Sequence, residues 1–290
     1  MIAVVGPITA FSFMNVIVKL SHESALAFAF YRLWMGAVVM TVGLLVTGRR
    51  LSWTTIRKAA PGGALFGINI AFFFSAIKAT NVADVLIIAA LQPALTLLVA
   101  GRLFGERVTS RDWLWTGVSL VGIVVVVVGT SGNPAWSLRG DLLAVGALLA
   151  WTVYWMLSKH VRETLHAFEY MAAVTVVAAL VITPVALASG ESFSVRWQDW
   201  LWLVLFVAGA QGGHTILAWS HEQVDVSISS LLILIEPVIS SAVAFFVLGE
   251  TLGLVAVLGG VVAIAAVGVV IRRATRTSKV SPIPPEGAPA

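Results

Sequence analysis

The chain has 290 residues, of which 59% are hydrophobic and 11% charged; its formal net charge is +4 and its mean hydropathy +0.97. Soluble domains carry roughly 25% charged residues, so this chain lacks the charge to coat a water-facing surface and needs lipid as its solvent. It contains no cysteine, which excludes a disulfide framework and any Cys-based metal site, and its basic residues lie in short loops rather than in a stripe suited to nucleic acid.

Met1 runs directly into IAVVGPITAF, without a charged leader or a small-residue cleavage site, so the first apolar run reads as a retained helix. A hydrocarbon core about 30 Å thick takes roughly 20 apolar residues per helix. Ten such runs follow in chain order: 2–20, 26–47, 59–78, 82–103, 112–130, 139–158, 167–188, 198–219, 226–247 and 252–271. The tail from 273 to 290 turns basic and then Pro-rich, a composition that predicts disorder. With the N-terminus inside, the inner loops and tail hold thirteen Lys and Arg, and the outer loops hold only Lys78, Arg139 and Arg196. That asymmetry predicts that both termini are cytoplasmic.

An internal repeat of about 140–144 residues runs through the chain. AFSFMNVIVK, ending on Lys19, aligns with AWTVYWMLSK, ending on Lys159, and Gly67-x-Asn69 aligns with Gly209-x-Gln211. Pro93 is followed twelve residues later by Gly105-Glu106, and Pro237 twelve later by Gly249-Glu250. Five helices is an odd number, so two such halves, 1–130 and 139–272 joined by a linker at 131–138, must be inverted relative to each other. Inverted repeats are a recurrent architecture of secondary transporters.

The segments LQPALTLLVAGRLFGERVT and IEPVISSAVAFFVLGETL resemble the fourth and ninth helices of the drug/metabolite transporter superfamily, EamA-like branch. Arg32 early in the second helix and the overall length agree, and the resemblance spans residues 1–272; the connection after Glu250 is shorter than that after Glu106. The resemblance implies an all-α integral membrane protein of ten helices in the bacterial inner membrane. It also implies a cavity lined by helices 1, 3, 4, 6, 8 and 9, with 5 and 10 outside, and export of amino acids or related metabolites by alternating access.

Polar side chains at mid-span need an explanation in lipid. Glu236 has about ten helical residues on either side; it reads either as a substrate-amine or proton site, or as an interhelical carboxylate paired with a cation such as Arg32. Pro237 after it, and Pro93 in the first half, remove a backbone donor and predict a kink. Gln92 is the counterpart of Glu236 and is either a cavity amide or a hydrogen bond between helices. Gln211, His214 and Thr215 share one face of their helix at i, i+3 and i+4, and Asn69 is the counterpart of Gln211. Trp151, Tyr154 and Trp155 form an aromatic stripe that reads as a pocket wall or a packing stripe; Phe11, Met14 and Asn15 are the matching wall of the first half. Arg32 is placed to snorkel outward, and Glu106 and Glu250 read as helix-end residues.

His22-Glu23 and His221-Glu222 lack the second histidine of a zinc-protease helix, and neither a Gly-x-Ser-x-Gly elbow nor a P-loop occurs. The expected function is therefore secondary transport without cofactor or metal, with a small-molecule substrate and protons as a candidate coupling ion. The alternatives are a carrier of another solute class, such as a vitamin, nucleoside, drug or nucleotide sugar, and a membrane-embedded channel or enzyme.

Overall fold

A computed structural model describes residues 2–80, 82–105, 108–131, 137–220, 226–248 and 253–278. Twelve α-helices and their connecting turns account for the described residues, with no strand among them. The first half contains α1 (Ile2–Leu20), α2 (Ala25–Val46), α3 (Trp53–Ala79), α4 (Val82–Ala89), α5 (Gln92–Phe104) and α6 (Ser110–Ser131). The second contains α7 (Leu138–Arg162), α8 (Ala167–Ala188), α9 (Asp199–Ser220), α10 (Val226–Ile233), α11 (Glu236–Leu248) and α12 (Leu254–Ser278). Among the described residues six spans are long and apolar enough to cross a membrane by length and composition.

Two departures from the sequence reading have plain causes. The third helix starts at Trp53, six residues before the apolar run, because the Ser52 hydroxyl accepts from the Thr55 amide and caps a polar first turn. The apolar runs 82–103 and 226–247 each hold two helices rather than one. Glu106 and Glu250 lie outside the described residues.

Packing runs mainly between the halves. Helix α3 lies along α7 and α8, α1 along α9 and α11, α2 along α8, and α6 along α12. Small residues set the closest approaches. A Cβ on Gly63 would stand 2.7 Å from Val177 Cβ, and one on Gly67 3.0 Å from the Ala178 carbonyl oxygen, so α3 seats directly on the backbone of α8. In the α6–α12 pair, a Cβ on Gly122 would meet the Gly259 carbonyl oxygen at 2.8 Å, and one on Gly259 would meet that of Gly122 at 2.7 Å. Large apolar side chains such as Val121, Val124, Val257, Leu258 and Val261 point away from this contact. That is the surface a lipid-facing pair of helices presents.

The glycine contact gives a paired test. Overpacking a fitted contact costs about 1–3 kcal/mol, and each kcal/mol moves the midpoint of a protein this size by roughly 2–4 °C. Gly122→Ala is expected to lower the thermal midpoint of the detergent-solubilised protein accordingly. Gly117→Ala, on the same helix with nothing within 4 Å of its Cβ position, is expected to leave the midpoint unchanged or raise it by improving helix propensity. Equal shifts in the two variants would dismiss the close α6–α12 approach.

Candidate functional site

The two helix breaks organise the site. Pro93 and Pro237 each stand second in α5 and α11, and the chain between the paired helices passes through tight turns at Ala90–Leu91 and Leu234–Ile235. In the first turn Leu91 N–H donates to Ile88 O at 3.1 Å; in the second, Leu234 and Ile235 donate to Leu231 and Leu232, both at 3.1 Å. Each proline deprives the carbonyl four residues before it, Ala89 or Ile233, of its helical donor. Both residues line a cavity, where non-helical backbone is tolerated within a membrane span. The Ser12 hydroxyl donates to the Glu236 carbonyl at 3.2 Å, tying α1 to the second break.

The cavity measures about 140 Å³ and is lined from α1, α2, α3, α4, α5, α7, α9, α10 and α11 and by the residues of the two breaks. No lining residue comes from α6, α8 or α12. The contribution of α2, through Arg32 alone, departs from the expected set.

Of the side chains singled out in the sequence, Asn69, Gln92, Trp151, His214 and Glu236 line this cavity, as does Pro237. Asn69 Nδ2 donates to the Ala147 carbonyl at 2.9 Å, fixing α3 to α7 with the amide at the cavity edge. Gln92 is 1% exposed; its Nε2 donates to Thr96 Oγ1 at 3.2 Å, while its Oε1 has no hydrogen-bond partner among the described residues. Trp151 stacks on Trp155 with centroids 5.8 Å apart and lies 5.2 Å from the ring of Tyr154. Tyr154 and Trp155 stand behind it, outside the lining. The Tyr154 hydroxyl donates to Met171 Sδ at 3.5 Å, so the stripe is one wall residue with two supports.

Gln211 is not brought into the site. Its Nε2 donates to Thr175 Oγ1 of α8 at 2.9 Å, and its Oε1 stands 2.8 Å from the Cβ position of Gly36, so it joins α9 to α8 and α2. His214, three residues on, turns into the cavity between the rings of Phe11, Phe66 and Trp151, with centroids at 4.6, 4.9 and 5.7 Å. It is 8% exposed, and its Nδ1 has no partner among the described residues. The side chain of Asn15 lies outside the described ones, whereas Phe11 and Met14 are on the lining.

Arg32 is the residue that sequence reasoning misplaced. It does not snorkel: it is 2% exposed, on the cavity lining, with its guanidinium carbon 5.1 Å from the centroid of Phe66 and 5.6 Å from that of Phe206. Its Nη1 is buried without a hydrogen-bond partner among the described residues, and Glu236 lines the same cavity. The signal was present in α2, where Arg32 follows Phe28 by one turn and precedes Gly36 by one turn, on a face of buried residues. Phe73, Phe74 and Phe206 also line the cavity and were not singled out.

Three buried polar atoms without partners, Arg32 Nη1, Gln92 Oε1 and His214 Nδ1, thus belong to side chains lining one cavity. Each such group costs about 1–3 kcal/mol when nothing satisfies it. Together with the Glu236 carboxyl group they bring a guanidinium, an amide oxygen and an imidazole to one cavity set among aromatic rings.

Known proteins agree with this architecture. A transporter of Archaeoglobus fulgidus, named only as uncharacterized, is 24% identical over 88% of this chain and 89% of its own. The uncharacterized transporter YwfM of Bacillus subtilis is 25% identical over 80% of each. The aromatic amino acid exporter YddG of Ancylobacter novellus is 30% identical over 43% of this chain and 45% of its own. A solved crystal structure superposes with a TM-score of 0.78 at 19% identity, covering 95% of this chain and 98% of that one, which establishes a shared fold. The EamA-like transporter family matches residues 1–128 and again 138–272. The chain is therefore a multi-pass membrane protein, and it belongs to the EamA-like transporter family.

Proposed function

We propose that this transporter exports amino acids with large apolar side chains, aromatic ones foremost, by alternating access in the bacterial inner membrane. The observation that carries the reading is that Arg32, whose Nη1 has no hydrogen-bond partner among the described residues, and Glu236 line one aromatic-walled cavity. A zwitterion has one end for each of them. Its carboxylate takes charge-assisted hydrogen bonds from the guanidinium, and its ammonium donates to Glu236 and to Gln92 Oε1. Phe11, Phe73, Phe74 and Trp151 then receive the side chain. An apolar cavity of about 150 Å³ is known to hold benzene, so a cavity of about 140 Å³ has room for the ring of one aromatic side chain. The partial similarity to an aromatic amino acid exporter supports the same substrate class. Polyanionic solutes fit less well, since Arg32 is the one cation on the described lining.

In this reading the Lys- and Arg-rich helix ends face the cytoplasm, as do both termini. The chain acts as two inverted five-helix halves that rock about the cavity, and protons are the coupling ion.

Counterflow in proteoliposomes tests the substrate class. Vesicles loaded with unlabelled tryptophan, phenylalanine or leucine are expected to accumulate the labelled amino acid saturably, and an imposed pH gradient is expected to change the extent. Folded protein that exchanges none of the amino acids would sink the proposal. Arg32→Gln removes a charged hydrogen bond worth about 1.5–3 kcal/mol and is expected to raise the KM for tryptophan roughly 10- to 150-fold. Inhibition by tryptamine, which has no carboxylate, should not change in that variant; a parallel loss of both ligands would show damage to the fold instead.

Glu236→Gln keeps the shape and removes the charge. It is expected to weaken tryptophan exchange by roughly tenfold or more while leaving competition by indole-3-propionate, which lacks the ammonium, unaltered. Normal exchange at every pH with unaltered affinity would take Glu236 out of the site.

A further inference from the structure

The contacts proposed above leave one polar side chain of the cavity wall unused, His214. Its ring is 8% exposed and packs against Phe11 of α1, Phe66 of α3 and Trp151 of α7, with centroids 4.6, 4.9 and 5.7 Å away. A glycine lets the first of these come so near. A Cβ on Gly213 would stand 2.8 Å from Phe11 Cε1, so α1 lays Phe11 directly on α9 beside the imidazole. Phe11 and Trp151 line the cavity together with His214, and Phe66 is outside the lining.

The two nitrogens of this ring are placed differently. Nδ1 is fully buried and has no hydrogen-bond partner among the described residues. Nε2 has no partner among them either, but it is not fully buried; on a lining residue, that makes it the nitrogen open to the cavity. An aromatic ring accepts an N–H weakly and offers nothing to a lone pair. Among three rings the hydrogen of the neutral imidazole therefore belongs on Nδ1, and Nε2 presents a bare acceptor.

An acceptor lodged among aromatic rings is matched by an aromatic side chain that carries its own donor. We propose that His214 Nε2 is a specificity-determining contact of this cavity, accepting from the indole N–H of tryptophan or the phenol O–H of tyrosine and favouring those side chains over phenylalanine and leucine. The inference rests on the amino-acid reading above for the solute that is carried, and on the ring geometry for the contact itself. Phe11 and Trp151, which receive the side chain in that reading, are the lining rings that His214 touches. A carboxylate suits Nε2 badly, because two acceptors repel each other, and that end of the solute belongs to Arg32. A phenyl or isobutyl group leaves the acceptor without a donor, which corresponds to about tenfold in affinity.

Indole and benzothiophene test the contact apart from the rest of the solute. The two rings are close in shape, only indole carries an N–H, and neither has a carboxylate or an ammonium. Their dissociation constants follow from the ligand-dependent rise in the thermal midpoint of the detergent-solubilised protein. The preference for indole, taken as the ratio of the two constants, is expected to fall about tenfold from the native protein to His214→Leu. His214→Gln, whose amide oxygen can stand near the place of Nε2, is expected to keep most of that preference. His214→Met carries the first arm if His214→Leu does not fold. In counterflow, the preference for tryptophan over benzothienylalanine should fall alike in His214→Leu.

A merely structural His214 would move both ligands together and leave the ratio at its native value. That outcome would overturn the contact, as would an equal fall in His214→Leu and His214→Gln, or a native protein that binds neither ring. Neither probe has a charged end, so a failed counterflow experiment refutes the substrate class and leaves the binding ratio to decide the role of His214.

Discussion

Within hydrocarbon no water is at hand to satisfy a polar group, and nearly every polar feature of this chain follows from that constraint. Hydroxyls resolve it locally. Thr96, Thr116, Thr152, Thr175 and Thr183 each donate to the carbonyl four residues earlier, so their protons make no demand on neighbouring helices. Amides resolve it between helices, as Asn69 does on Ala147 and Gln211 on Thr175. Partnerless buried atoms also occur away from the cavity, as on Ser24 and Ser229, but those of Arg32, Gln92 and His214 belong to side chains that line it together.

Similar halves do not pack alike. Gly67 and Gly209 occupy matching positions in the sequence repeat, yet Gly67 sits on the backbone of Ala178 in α8, while Gly209 faces the side chain of Met14 in α1. The third helix of one half is seated on bare backbone, and its counterpart rests on a flexible side chain. Two cation contacts echo each other more closely: Lys78 Nζ donates to the Ser21 carbonyl at 3.2 Å, and Arg162 Nε to the Ala218 carbonyl at 3.0 Å. In each half a cation near a helix C-terminus ties the first helix to the third, a placement the helix dipole favours. In the proposed reading of two inverted halves these ties lie at opposite membrane faces, and the unlike glycine contacts make the two halves pack differently about the cavity. Identical packing of both halves would give a cavity equally closed, or equally open, to both faces.

The helices and the two proline positions were legible because hydrophobic run length and the loss of a backbone donor act locally. Whether a side chain faces a cavity was not legible, because that depends on helix rotation. Gln211 and His214 are three residues apart and about 60° apart around α9, and the boundary of the cavity passes between them. Arg32 was read as an interface residue from its nearness to a helix end. Its depth is decided by partners remote in sequence, Phe66 and Phe206, whose rings replace the water a snorkelling cation seeks. Phe74 and Phe206 carried no signal of their own in a chain with fourteen phenylalanines.

The same constraint bears on the proposed role of Arg32, whose guanidinium rests on aromatic faces. A buried ion pair between Arg32 and Glu236 would satisfy both groups permanently, and a substrate would then have to break it before binding. Ring faces hold a guanidinium by about 0.5–2 kcal/mol, whereas hydrogen bonds to charged groups contribute about 1.5–3 kcal/mol. The exchange from rings to carboxylate therefore runs downhill, but by a margin small enough to reverse. A carrier needs that narrow margin, because a site that gains too much on binding cannot let go at the other face. In the proposed reading, Arg32 and Glu236 on one cavity meet the two ends of a zwitterion, and the narrow margin leaves release within thermal reach.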